Sequence, residues 1–269
     1  MLSTGLASVT LRSLPCEAVI KAAVDAELQG IEWGGDVHVV PGDVSWAHRV
    51  GGLTRDAGLR VVSYGSYYKV GTPVRESCAW HRLVPQFGRH LLTNPTFDAV
   101  LDAALGMGAP TIRVWAGACG SDKSTEDLRA RVVDDARHIA HLAAKEDVRI
   151  GFEYHSGTLT DSADSAERLM REIDRDNVTC YWQPPMRISQ DQRIEGLTQI
   201  LPWLSNVHAH PMRLRPQPLA DVQTEWETFL TSIAAAEGDR CVVLEFVKGA
   251  SVDQVKLDAV VLNQLVRVV

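Results

Sequence analysis

Short apolar runs alternate with longer amphipathic stretches from one end of the chain to the other. Eight of the runs read as β-strands: TGLASVTL (4–11), GIEW (30–33), LRVVSY (59–64), TIRVWA (111–116), RIGFEY (149–154), VTCYWQ (178–183), NVHAH (206–210) and CVVLEF (241–246). They are rich in β-branched and aromatic residues, and polar or Gly-containing segments separate them. The stretches between carry helical spacing, and several open on capping signatures. Ser124–Asp127 resembles a capping box, Ser189–Gln192 and Ser251–Gln254 fit S-x-x-Q, and Pro15 begins the first helix well. Gly30, Gly58, Gly108 and Gly238 follow helical segments and suit the left-handed position after a helix end.

Strands and helices alternating at intervals of about 25–35 residues predict a (β/α)8 TIM barrel, with residues 1–269 as a single domain. A doubly wound sheet would carry a Gly-rich turn after its first strand, and TLRSLP offers none. One interval is too long. The third strand is expected to end near Tyr64 and the fourth to begin at Thr111, with a helix around Pro95–Met107 between them. Gly65 to Asn94 is therefore predicted to be an enlarged loop after strand three, on the face where barrels carry function. Its Tyr67, Tyr68, Lys69, Trp80, His81 and Phe87 suit a lid or a contact between copies of the chain in a homo-oligomer.

Composition narrows the partners. The chain is 45% hydrophobic and 23% charged, with a net charge of −7 and no basic block, which argues against a nucleic-acid partner. MLSTGLASVTLRSLP lacks the basic and apolar regions of a signal peptide, and no apolar run reaches membrane-spanning length. The five cysteines are scattered, with no CxxC; Cys180 and Cys241 fall inside strand-like runs and read as small buried hydrophobes. The expectation is a soluble, reduced, cytoplasmic protein with no membrane partner.

Chemistry in a barrel gathers at the C-terminal ends of the strands. Those ends read Glu32–Trp33, Tyr64, Arg113, Glu153–His155, Gln183, His208–His210 and Glu245. Two carboxylates, an amide oxygen and an imidazole from four successive strands can converge on one point. Oxygen and nitrogen donors of this kind suit a divalent metal such as Mn2+, Mg2+, Co2+ or Zn2+.

In GIEWGGDVHV, IRVWAG, FEYHSGT, NVHAH and LEFVKG the chain resembles the xylose isomerase-like TIM barrels, specifically the sugar phosphate isomerase/epimerase group. The resemblance covers nearly the whole chain. It implies a metal held by Glu153, Gln183, His208 and Glu245, where Gln183 replaces the Asp that the family carries after strand six. The ligand charge falls from three carboxylates to two, which weakens the hold on a metal and preserves its Lewis acidity.

The implied activity is that of an isomerase or epimerase of a sugar or keto-sugar. Glu153 and Glu245 would be paired acid and base, passing a proton next to a carbonyl through an enediolate. Arg113, His155 and His210 would hold hydroxyls or the developing oxyanion. Trp33 could stack on a sugar ring or pack, His38 follows two glycines and could reach a ligand, and Lys248 could neutralise an anionic group or be solvated. Two alternatives share these residues: a lyase or dehydratase of a keto-sugar or keto-glycoside, and a non-catalytic sugar-binding barrel with a decayed metal site. An abasic-site endonuclease would need more His and Asp ligands and a basic groove, and the chain has neither.

Overall fold

In a computed structural model describing residues 1–72, 94–210 and 215–269, eight parallel strands close into a barrel in sequence order. The strands are β1 (Leu2–Ala7), β2 (Gly30–Gly34), β3 (Arg60–Lys69), β4 (Thr111–Trp115), β5 (Arg149–Glu153), β6 (Val178–Trp182), β7 (Leu204–Ala209) and β8 (Arg240–Leu244). Each is followed by a helix: α1 (Cys16–Asp25), α2 (Val44–Asp56), α3 (Phe97–Met107), α4 (Glu126–Ala144), α5 (Ala163–Ile173), α6 (Gln190–Ile200), α7 (Gln223–Ala234) and α8 (Val252–Val268). The barrel closes where β1 meets β8, with Leu2 opposite Arg240 and Leu6 opposite Leu244. Among the described residues, no helix is long and apolar enough to cross a membrane.

Strand periodicity divides the residues into two sets. Ile31 and Trp33, Ile112 and Val114, Ile150 and Phe152, Cys180 and Trp182, Val207 and Ala209, and Val242 and Leu244 all join the large apolar cluster shared with the helices. Their neighbours Glu32, Arg113, Glu153, Tyr181, His208 and Glu245 take the opposite parity and meet inside the barrel. Parity therefore decides which residue of each strand-end pair faces the barrel interior and which packs against the helices.

Several local expectations change. The first strand ends at Ala7, because Ser8–Leu11 turns into a short 3-10 helix in which Ser8 Oγ accepts from Gly34 N–H. The third strand runs on to Lys69 rather than ending at Tyr64. A register shift between Gly65 and Tyr68 lets it continue along β4, and the Ser66 hydroxyl donates to the Arg113 carbonyl at the shift. Tyr67, Tyr68 and Lys69 thus belong to a strand. Trp80, His81 and Phe87, with the rest of the predicted loop from 73 to 93, lie outside the described residues, as does Cys78.

Capping is mostly as read. Ser189 and Gln192 form the reciprocal box, Ser251 accepts from Gln254 N–H, and Pro15 precedes α1. At α4 the cap is Thr125, one residue later than expected, while Ser124 bonds the Ser121 carbonyl. Gly58, Gly108 and Gly238 have positive φ, but Gly30 opens β2, and Glu27 takes the left-handed position after α1.

Candidate metal and active site

Glu153 ends β5, His208 lies in the penultimate position of β7, and Glu245 follows the last residue of β8. One ligating atom from each of the three lies within 4.8 Å of the others, and all three residues are buried. His208 Nδ1 sits 3.3 Å from Glu245 Oε2 and 3.6 Å from Glu153 Oε1, yet it makes no hydrogen bond. An unsatisfied ring nitrogen between two carboxylates is costly in a protein interior. It fits a divalent cation, because a neutral imidazole and two carboxylate oxygens are ordinary ligands for one.

Gln183, one residue beyond β6, stands at the edge of this group. Its amide nitrogen donates to the Tyr154 carbonyl at 2.9 Å and approaches Glu153 Oε1 at 3.5 Å. That arrangement leaves Oε1 buried without a partner, so the amide oxygen is available as a further donor to an ion.

Below the ligands lies a charged layer. Arg113 is 1% exposed and is clamped between Glu32 and Glu153: its Nε donates to Glu32 Oε1 at 3.0 Å, and its Nη1 donates to Glu153 Oε2. Glu153 Oε2 also accepts from Trp115 Nε1 at 2.6 Å. Room for these side chains comes from two glycines. A Cβ on Gly65 would stand 2.5 Å from Arg113 Nη2, and one on Gly151 would stand 2.5 Å from the Tyr181 ring. Tyr181 packs edge-on against His208 and accepts from Asn206. Tyr67, at φ +57°, sets its ring over the Arg113 guanidinium and against Trp115.

Charge follows from these contacts. Burial works against ionisation of Glu32, but Arg113 and then His208 outweigh it and pull the carboxyl down to about 2. The same opposition holds Glu153 well below the usual carboxylate range, with Arg113 the strongest lowering influence. Burial opposes a charge on His208 too, but Glu245 and Glu32 overcome it and raise the imidazole well above its ordinary value. Without a metal, a proton on His208 takes the place of a cation. Three carboxylates against one guanidinium leave two negative charges when His208 is neutral, which matches a divalent ion.

The other sequence-predicted site residues divide. His210 stands beside Glu245, with Nδ1 4.0 Å from Oε2 and its ring against Phe246; burial lowers its pKa and favours the neutral form. His155 stacks on Trp115 at 4.8 Å, and its Nδ1 meets the Ser156 carbonyl. Both line a cavity of about 530 Å3 with Gln183, Pro185, Met186 and Phe246.

Arg113 is engaged by the two carboxylates through Nε and Nη1, while its Nη2 is buried without a hydrogen-bond partner. Trp33 points the other way, its Nε1 bonded to Thr54 of α2, so it packs rather than stacks on a sugar. His38 is buried against Trp33 with Nε2 3.1 Å from the Leu14 carbonyl, away from the cluster. Lys248 is exposed on a single helical turn after β8. Glu32, which the sequence marks only as a strand end, and Trp115, which it offers only as apolar wall or packing, touch the site residues directly. The signal for Glu32 was its parity: in Gly30–Ile31–Glu32–Trp33 it alternates with apolar residues that face the helices.

The family described as xylose isomerase-like TIM barrel matches residues 20–210. A curated relative, the 3-dehydroshikimate dehydratase of Bacillus anthracis, is 28% identical over 103 residues, which span 36% of this chain and 35% of that protein. The match thus covers about a third of the relative. Solved structures share the fold at lower identity. The 3-keto-D-glucoside 4-epimerase of E. coli superposes with a TM-score of 0.70 at 19% identity, covering 100% of both chains. D-allulose 3-epimerase of Methylomonas sp. gives 0.69 at 15%, covering 100% of this chain and 98% of its own. The probable 3-DHS dehydratase of Bacillus anthracis gives 0.67 at 18%, covering 97% and 98%.

Proposed function

Since the chain belongs to the xylose isomerase-like TIM barrel family, we propose that it is a metal-dependent isomerase or epimerase of a sugar or keto-sugar. The observation that carries this reading is His208 Nδ1, buried and without a hydrogen bond between Glu153 and Glu245. Glu153, His208 and Glu245, with the Gln183 amide oxygen, would hold a divalent ion such as Mn2+, Mg2+, Co2+ or Zn2+. When bound, such an ion polarises a carbonyl and acidifies the neighbouring C–H.

The residues then take unequal parts. Glu153 has one oxygen filled by Arg113 and Trp115 and a carboxyl held strongly ionised, which makes it an anchored ligand and a poor proton carrier. Among the described residues Glu245 has no such pair of donors on it and faces two imidazoles, so it is the proposed base. His210, half-buried and held toward its neutral form, and His155 would return a proton or hold a hydroxyl. His155, Pro185, Met186 and Phe246 give the cavity polar and apolar walls suited to a sugar.

That asymmetry also supports a second reading. A β-elimination needs one base and one acid for the leaving hydroxyl, which Glu245 with a histidine can supply, and the curated relative is named as a dehydratase. The deciding experiment incubates the Mn2+-supplemented protein with keto-sugars, 3-keto-glycosides and 3-dehydroshikimate in D2O and follows each by NMR. Deuterium at the carbon next to the carbonyl in an intact sugar supports the isomerase or epimerase. Loss of water or of the glycosidic group supports the lyase. Sugar binding without metal uptake or turnover would reject both and leave a decayed, sugar-binding barrel.

A further inference from the structure

One carboxylate beneath the site touches the supports of two proposed ligands through a single oxygen atom. Glu32 Oε1 accepts from Arg113 Nε at 3.0 Å and lies 3.2 Å from His208 Nε2. Its other oxygen, Oε2, accepts from Ser63 Oγ at 2.7 Å. The side chain is 1% exposed, so water does not compete for these contacts.

The consequences run upward through both partners. With Nε2 facing a carboxylate, His208 keeps a proton there, and Nδ1 is the nitrogen aimed between Glu153 and Glu245, the one that would face an ion. With Nε held on Glu32, the Arg113 guanidinium is fixed in the plane from which Nη1 takes Glu153 Oε2. That leaves Glu153 Oε1 as the oxygen facing His208 Nδ1. Carboxylates bonded to the far nitrogen of a ligating histidine orient the ring and raise its basicity.

We infer that Glu32 is a positioning residue that sets the ligating faces of His208 and Glu153 together, by direct contact with the imidazole and through Arg113 with the carboxylate. The inference rests on the proposed metal site for its functional meaning, but its structural half stands on contacts present without metal. Glu32 acts through other residues and does not touch the ion or the substrate. Ser63 completes the device by holding the carboxylate from below, so that neither partner can draw it aside.

The test uses the full chain carrying 15N-labelled histidine. In the metal-free and the Zn2+-loaded wild type, the His208 Nε2 proton should resonate far downfield, as expected for an imidazole N–H bonded to a buried carboxylate. Glu32→Gln should shift that resonance upfield, and Mn2+ titration by calorimetry should show affinity ten- to a hundredfold weaker, the usual scale for loss of such a partner. Glu32→Ala should weaken Mn2+ at least as much. Glu32→Gln keeps the shape and the acceptor oxygen, so it carries the test if Glu32→Ala fails to fold. A folded Glu32→Gln protein with an unmoved Nε2 proton and Mn2+ affinity within twofold of wild type would overturn the inference. Absence of Mn2+ binding in the wild type would reject the metal reading alone, and the Nε2 resonance would still decide what Glu32 does.

Discussion

Glu153 and Glu245 look alike in the sequence, each a carboxylate closing an apolar strand, yet the barrel treats them differently. On the β4–β5 side, Arg113 and Trp115 converge on one Glu153 oxygen over a layer in which Glu32 and Ser63 take up much of the remaining hydrogen-bonding capacity. On the β7–β8 side, Glu245 meets His208 and His210, and among the described residues no guanidinium bonds it. On the proposed reading, one side holds still and the other exchanges a proton. Strand-end identity supplies the ligand, and the layer beneath it decides the role.

The comparison breaks most sharply by neutralising each carboxylate in turn. Glu245→Gln should lower turnover by about 10²–10⁴-fold, the scale of a lost general base, even at saturating Mn2+. Glu153→Gln should act mainly on metal affinity, so that raising Mn2+ recovers part of the rate. Steady-state kinetics across a Mn2+ series on both variants separates the two behaviours. Equal recovery in both, or near-normal activity in Glu153→Gln without added metal, would show that the two sides are not divided as described.

Protons should compete with metal for the same place. Glu245 and Glu32 raise the His208 pKa well above its ordinary value despite the opposing pull of burial. The metal-free protein therefore carries a proton that must leave before Nδ1 can ligate. Mn2+ affinity should rise by about tenfold per pH unit while pH stays below that raised pKa, and level off above it. Metal-free stability should move the other way, since a raised folded pKa gives stability present below the unfolded value and lost as pH rises through the folded one. Calorimetric titration across pH, in buffers of different ionisation enthalpy, reads the affinity and the released proton together. A flat affinity would remove His208 from the ligand set.

A smaller effect concerns the neutral member of the ligand group. Gln183→Asp adds a negative charge beside Glu153 and should tighten Mn2+ several-fold, because a carboxylate is the stronger ligand for a hard cation. The Tyr154 carbonyl, which now accepts from the Gln183 amide, would lose its donor, and that cost limits the gain. Unchanged or weaker affinity by titration would place Gln183 outside the ligand set and leave it as a brace for Glu153.

What the sequence disclosed, and what it hid, follows from the same geometry. Alternating runs show that strands exist and roughly where they end, because period-two patterning needs only local information. Convergence of Glu153, His208 and Glu245 was legible since all three sit at strand ends in a fold whose chemistry gathers there. Trp33 reads in the sequence as either stacking on a sugar or packing, and parity separates the two, since Glu32 and Trp33 are adjacent and only one can look inward. The contact of His38 with the Leu14 carbonyl is not legible in the sequence, because that carbonyl lies in a loop whose path no periodicity describes. The extension of β3 to Lys69 depends on a register shift against β4, which is a property of the pair and not of either strand.

Two tryptophans give the finest version of the comparison. Trp33 and Trp115 both stand at strand ends, and each donates one indole hydrogen bond, but to opposite sides of the barrel wall. Trp115 Nε1 reaches the Glu153 carboxylate at 2.6 Å, whereas Trp33 Nε1 reaches Thr54 on α2 at 3.1 Å. Phenylalanine keeps most of the apolar volume and removes the donor in either case. Trp115→Phe releases one of the two clamps on Glu153 and should weaken Mn2+ a few-fold, with a small loss of stability. Trp33→Phe should cost about 1 kcal/mol of stability, the usual net worth of a buried neutral hydrogen bond, and leave Mn2+ affinity and substrate kinetics unchanged. Thermal unfolding and Mn2+ titration of the two variants side by side read both halves. A Michaelis constant that moves in Trp33→Phe would return that ring to the substrate face, and the parity argument would fail with it.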